Sequence, residues 1–234
     1  MQLILEAAEK QKNFVFIGEA GSGKSEIAIN FARYLQELGQ KKVHFFDLDM
    51  TKPLFRSRDI KTKMEDMGIV FHNEEQFMDA PTLTGGVIRL LKDEDCLVVM
   101  DVGGDSIGAR SIGGFASAVS QTNTCVYYVL NAYRPWSYDI DHIDHTLGSI
   151  LGVSHIELGQ IHFINNPNTG HTTTAEEFLA GSRKMWEMVS PYQHMDFSCI
   201  RQELYEEVKN IHTGPILPIR LYLTYPWVSN VAGK

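Results

Sequence analysis

Residues Gly18 to Ser25 read Gly-Glu-Ala-Gly-Ser-Gly-Lys-Ser and fill every fixed position of the phosphate-binding pattern G-x-x-x-x-G-K-[ST]. No other feature limits the fold as tightly, because this pattern needs a strand before it and a helix after it. Both flanks fit. Asn13 to Ile17 is a short apolar run suited to a buried parallel strand, and after it Ile27, Ala28, Phe31, Leu35 and Leu38 recur at helical spacing. Glycines let the backbone curl until several N–H groups converge on one anion, and the helix N-terminus adds its dipole. Gly18, Glu19, Ala20, Gly21, Ser22, Gly23, Lys24, Ser25 and Glu26 are therefore candidate nucleotide-binding residues. Lys24 is expected to reach the β- and γ-phosphates, and the Ser25 hydroxyl to ligate Mg2+. The bland alternative, a glycine-rich turn carrying Lys-Ser by chance, has no reason to bring the matching flanks.

The 234 residues suffice for one substantial α/β domain, taken here as a single unit over 1–234. No run of eighteen apolar residues occurs, and the start, Met1-Gln-Leu-Ile-Leu-Glu6, has no basic region before an apolar stretch. Neither a membrane span nor a secretory signal is expected. Cys96, Cys125 and Cys199 are odd in number and far apart, which predicts free thiols and a reducing, cytoplasmic setting. The formal net charge is −8 with scattered basic residues, so neither nucleic acid nor a membrane surface is an expected partner.

Apolar runs recur at α/β spacing. Strands are predicted at 14–18, 43–47, 69–71, 96–101, 124–130, 160–164 and 216–221. Helices are predicted at 25–38, 54–67, 73–80, 84–91, 111–121, 137–151 and 175–190. Near-continuous apolar strands alternating with amphipathic helices imply a doubly wound, mostly parallel sheet of about seven strands with helices on both faces. Ligands of such sheets bind beyond the carboxyl ends of the strands. There the chain carries Asp47-Leu-Asp-Met-Thr-Lys-Pro53, Asp101-Val-Gly-Gly-Asp105, Asn131-Ala-Tyr-Arg-Pro-Trp136 and Asn165-Asn-Pro-Asn-Thr-Gly-His171.

Leu97-Val-Val-Met-Asp101 is an apolar strand ending in aspartate, a carboxylate placed to hold Mg2+ opposite Ser25. Gly103-Gly104 permits close approach to a γ-phosphate. Asp47 and Asp49 are alternate residues at a strand end, so both carboxylates can face the phosphate site, one activating water and the other supporting the metal. A solvated strand end with a capping aspartate is the competing reading.

Together, Gly18–Ser25, His44–Pro53 and Val98–Gly104 resemble the MinD/ParA-like branch of P-loop ATPases, which includes the CobQ/CobB/MinD/ParA nucleotide-binding domain. The resemblance implies a P-loop NTPase fold, ATP with Mg2+, and a homodimer that sandwiches nucleotide. It also implies a water-positioning aspartate at Asp49, a metal-side carboxylate at Asp47, and an adenine-binding asparagine at Asn165 or Asn166. One departure matters: members that hydrolyse ATP as dimers carry a lysine where this chain has Glu19. Arg56, Arg58, Arg110 and Arg134 are the loop cations available to replace it.

Asp139-Ile-Asp-His-Ile-Asp-His145 superficially resembles a metal cluster, but reads better as a capped, solvated helix start with Ser137 as the cap. Thr174 with Glu177 reads as a second helix start. Trp136 and Trp227 read as packing anchors, and 222–228 as a Pro-broken segment packed on the domain. The expected function is a Mg-ATP-dependent nucleotide switch or accessory ATPase acting on an unidentified protein partner. The alternatives are a small-molecule kinase or ATP-dependent ligase using the same phosphate site, and a nucleotide-binding scaffold that barely turns over.

Overall fold

The computed structural model describes residues 1–49, 57–73, 82–104 and 106–223, with the backbone alone at 82–85, 106–108 and 110. Its strands are β1 (Asn13–Ile17), β2 (Lys42–Leu48), β3 (Val70–His72), β4 (Cys96–Val102), β5 (Thr124–Leu130), β6 (Ile161–Asn165), β7 (Met195–Arg201) and β8 (Ile216–Ile219). They form one sheet in the order β3-β2-β4-β1-β5-β6-β7-β8. Every neighbouring pair is parallel. β1 is flanked by β4 and β5, so the order reverses beside the phosphate loop, where such sheets open a crevice at their carboxyl ends.

The helices are α1 (Gln2–Lys10), α2 (Lys24–Leu38), α3 (Lys61–Asp66), α4 (Thr82–Lys92), α5 (Ser106–Gly113), α6 (Ala116–Gln121), α7 (Ile140–Ser154), α8 (Ala175–Val189) and α9 (Tyr205–Val208). Side chains of successive strand residues point to opposite faces, and β1 shows what that produces. Phe14 and Phe16 join a core with Ile4 of α1, Phe31 of α2 and Met64 of α3. Val15 and Ile17 join a second core with Leu91 of α4, Ile112 of α5, Ile143 of α7 and Met185 of α8. The first core centres on aromatic rings, with Phe14 and Phe31 centroids 4.7 Å apart and Phe16 and Tyr127 5.3 Å apart. All five β1 residues are buried, so the strand carrying the phosphate loop is packed on both faces. No helix among the described residues is long and apolar enough to cross a membrane.

Several expectations need correction. The described residues form eight strands: β7 was not predicted, because Met195-Asp-Phe-Ser-Cys alternates apolar with polar residues and lacks a continuous apolar run. α1 was not predicted either, although Leu3, Ile4, Ala7 and Ala8 make an apolar stripe that packs on the first core. The helix predicted at 111–121 is two helices, interrupted at Gly114-Phe115. A Cβ on Gly113 would lie 3.2 Å from the Val153 carbonyl oxygen, so the lack of a side chain there lets α5 approach α7 closely. α7 is capped by Asp139, whose carboxylate accepts from His142 N, and not by Ser137, which is buried in a short 3-10 turn begun by Pro135. Trp136 is 49% exposed and anchors no core.

Other expectations hold. Thr174 and Glu177 form a reciprocal capping box at the start of α8, and the three cysteines are free and buried. Most of the helix predicted at 73–80, the start of that at 54–67, and Trp227 lie outside the described residues.

Candidate functional site

The phosphate loop leaves β1 at Gly18 and enters α2 at Lys24. Gly18, Gly21 and Gly23 have φ of 139°, 77° and 93°, conformations that side chains resist. Gly23 shows why no Cβ fits: one there would lie 2.1 Å from Asn166 Nδ2, whose amide donates to the Ser22 carbonyl at 2.7 Å. Gly23 also serves as the N-cap of α2 and offers no side-chain cap, so no side chain competes for the first helical N–H groups. Two loops from the far side of the sheet hold this backbone. Asn166 holds Ser22, and Arg134 Nε donates to the Gly21 carbonyl at 2.9 Å.

Lys24 and Ser25 are buried. Lys24 Nζ lies 3.3 Å from Asp49 Oδ2, with both side chains 1% exposed. Asp47 and Asp101 are direct register partners in the β2–β4 pair, which brings two buried carboxylates side by side. Burial, and then the neighbouring Asp101, push the Asp47 carboxyl above its usual range, while Arg58 opposes the shift. Arg58 donates from Nε to Asp47 Oδ2 at 2.9 Å, and its backbone N–H reaches the same oxygen at 3.1 Å. Ser57 Oγ donates to Asp101 Oδ2 at 2.6 Å. Asp101 Oδ1 is buried and has no hydrogen-bond partner among the described residues, and neither has the buried Ser22 Oγ. Buried orphan oxygens of this kind call for a ligand or an ion. Gly104 abuts the loop from the same side, since a Cβ there would lie 2.7 Å from Ala20 N.

Across the loop from these carboxylates opens a cavity of about 350 Å³. Ala20, Gly21, Gly23, Ser25 and Glu26 form one wall, and Asn166, Pro167 and Asn168 another. Phe178, Cys199, Ile219 and Leu221 make an apolar floor. Glu26 does not point a free carboxylate into this space: it accepts from the backbone N–H groups of Tyr222 and Leu223 at 2.7–3.0 Å, tying the chain after β8 to α2. Arg201, at the end of β7, lines the cavity with Nη1 on the His171 carbonyl, while its Nε is buried without a partner.

The residues singled out from sequence thus divide. Gly18–Glu26, Lys24–Asp49 and the Asp47–Asp101 pair converge on the loop. Asn166 reaches the cavity, whereas Asn165 does not. Its amide is 3.2 Å from Ser182 Oγ and 3.5 Å from Ser198 Oγ, in a buried network that continues to His212. Of the two asparagines, only Asn166, just past the end of β6, lines the cavity. Arg58 is committed to Asp47. Arg56 and the Arg110 side chain lie outside the described residues. Sequence reasoning missed Ser57, Asn168 and Arg201. The first two carry no motif, and the third closes the unrecognised strand β7.

A parallel sheet with a G-x-x-x-x-G-K-S loop between its central strand and the next helix, and buried carboxylates at the ends of two neighbouring strands, defines a P-loop nucleotide-binding domain. A family model described as the CobQ/CobB/MinD/ParA nucleotide binding domain matches residues 14–154, and the chain belongs to that family. The chain is also similar to the signal recognition particle 54 kDa protein of Archaeoglobus fulgidus, at 28% identity over 99 residues, 42% of this chain and 22% of that protein. Among solved structures it resembles the 54 kDa protein of Aeropyrum pernix in complex with GDP, with TM-score 0.50, 17% identity, and 81% of this chain against 41% of that one covered. It also resembles the signal recognition particle receptor FtsY of Elizabethkingia anophelis in complex with GDP, with TM-score 0.53, 13% identity, and coverage of 83% and 61%. The chain thus spans less than two thirds of each of these relatives. At these identities the structural likeness concerns the fold alone.

Proposed function

We propose that this protein binds Mg-ATP and uses the γ-phosphate as a switch, acting as an accessory ATPase for a protein partner. The Lys24–Asp49 ion pair carries this reading. It joins the lysine that would neutralise phosphate to the residue at the end of β2, so phosphate and Asp49 compete for one cation. Gly104, packed on the Ala20 backbone, gives the loop a second such contact. A triphosphate would therefore shift the chain at Asp49 and Gly104 together, the linkage a nucleotide switch needs.

The residues fit a divalent cation. Asp101 Oδ1 has a vacant acceptor and the Asp47 carboxyl is destabilised in its charged form, two conditions that a cation relieves. Ser25, Asp47 and Asp101 would hold Mg2+, which supplies positive charge to the phosphate oxygens. Lys24 would donate to the β- and γ-phosphates, and Asp49, once released from Lys24, would accept a proton from water and orient it.

Adenine is favoured over guanine by the cavity walls. Guanine's N1–H and N2–H2 donors are best met by a carboxylate, and Glu26, the acidic residue of the wall, is tied to Tyr222 and Leu223. Asparagine amides suit the donor and acceptor of adenine's edge, and Asn166 and Asn168 stand there. For the partner, the exposed Tyr133, Trp136 and Tyr138 lie next to Arg134 in sequence and are residue types enriched at interfaces. Buried free thiols agree with a reducing cytoplasm.

Titration calorimetry with Mg-ATP, Mg-GTP and the Lys24→Ala variant tests the reading. ATP should bind more tightly than GTP, with both lost in the variant. A preference for GTP would overturn the base assignment, and binding insensitive to Lys24 would overturn the site.

A further inference from the structure

We infer that Arg134 supplies, from within the same chain, the cationic charge that Glu19 denies the phosphate loop. The inference rests on the nucleotide reading above and adds a contact to the phosphates. A loop that binds a triphosphate while bearing a carboxylate at Glu19 needs a compensating cation nearby. Lys24 is already assigned to the β- and γ-phosphates in that reading, Arg58 is paired with Asp47, and Arg201 donates to the His171 carbonyl. Arg134 differs from these. Its Nε donates to the Gly21 carbonyl, and a Cβ on Gly21 would lie 3.2 Å from Nε and 3.6 Å from the guanidinium carbon. The side chain therefore lies flat on the loop. Its two terminal NH2 groups make no hydrogen bond among the described residues, and the residue lines the cavity with Gly21, Gly23 and Ser25.

The segment after β5 holds the arginine in place. Arg134 N donates to the Asn131 carbonyl at 3.0 Å. Asn131, fully buried, accepts from Tyr133 N at 3.0 Å and donates to the Asn168 carbonyl at 2.9 Å. Ser137 N reaches the Arg134 carbonyl at 3.1 Å. A guanidinium fixed by Nε with its fork left open matches a phosphate's two oxygens, which an ammonium at Glu19 would meet only as a point charge. Because the arginine belongs to the loop's own chain, phosphate charge is neutralised without a second copy.

Calorimetry compares Mg-ADP with Mg-AMPPNP, a non-hydrolysable triphosphate, in wild type, Arg134→Lys, Arg134→Gln and Lys24→Ala, across a dilution series. Wild type should prefer the triphosphate. Arg134→Gln should lose roughly ten- to hundredfold of triphosphate affinity, as expected for one charged hydrogen-bonding group, with ADP affinity changed less than about threefold. Arg134→Lys should fall between. Equal losses for both nucleotides would make Arg134 a clamp on Gly21 and overturn the inference, as would no loss for either. A triphosphate preference that disappears on dilution would place the cation on a second copy. Wild type that binds neither nucleotide refutes the parent reading instead, a result distinct from all of these.

Discussion

Replacing Lys24 by methionine should destabilise the nucleotide-free protein strongly. The charges of Lys24 and Asp49 are 3.3 Å apart, with both side chains 1% exposed. At the effective dielectric of about 20 that suits protein sites, such a pair attracts by about 5 kcal/mol before desolvation is counted. Without Lys24, Asp49 remains buried as a charge stripped of that partner. Breaking a buried pair from one side costs about 3–5 kcal/mol. Urea unfolding should therefore show Lys24→Met destabilised by about 3–4 kcal/mol at neutral pH. The Lys24→Met/Asp49→Leu double variant should cost less than the sum of the two single changes, with a coupling of about 2–3 kcal/mol. Asp49→Asn alone should tighten ATP binding, since phosphate no longer displaces a carboxylate from the lysine. A Lys24→Met cost below about 1 kcal/mol, or single costs that simply add in the double variant, would refute the ion pair as the force that holds Asp49.

Gly104→Ala would put a methyl group 2.7 Å from Ala20 N and 2.8 Å from the Gly18 carbonyl oxygen. Both are loop backbone, so the loop must shift. A loss of about 1–3 kcal/mol in stability and a clear fall in nucleotide affinity are expected, read by urea unfolding and calorimetry. The pH profile of stability should have two histidine limbs of opposite sign. Burial, then His44 and Lys61, hold His72 down to about 4, below an ordinary 6.5. Its contribution is complete above pH 6.5 and is lost as pH falls toward 4. His162, 2.9 Å from Asp196 Oδ2, is raised to about 10 chiefly by that carboxylate. Its contribution is complete below pH 6.5 and is lost as pH rises through 10. His72→Gln should flatten the acid limb and Asp196→Asn the alkaline limb in thermal melts across pH. The alkaline change should be the smaller, because the His162–Asp196 pair is partly exposed and screened.

Local chemistry made much of this protein legible from its residues alone. The loop pattern, its flanking strand and helix, and an apolar strand ending in Asp101 are each set by neighbours in the chain, so they can be read without coordinates. The same holds for the parallel sheet covered on both faces, because strands buried on both sides are mostly near-continuous apolar runs. What escaped was whatever depends on partners distant in sequence. β7 is buried although its pattern alternates, because Ser198 finds Asn165 on neighbouring β6 and Ser182 on α8. That same network, and not the motif, turns Asn165 away from the cavity and leaves Asn166 beside Ser22. Asp47 and Asp49 look equivalent in sequence, yet the fold gives one to Arg58 and the other to Lys24. The sequence shows that a cation is missing at Glu19. Only the packing of the segment after β5 against Gly21 decides which arginine stands beside the loop, because pairing of charges is a matter of distance in space.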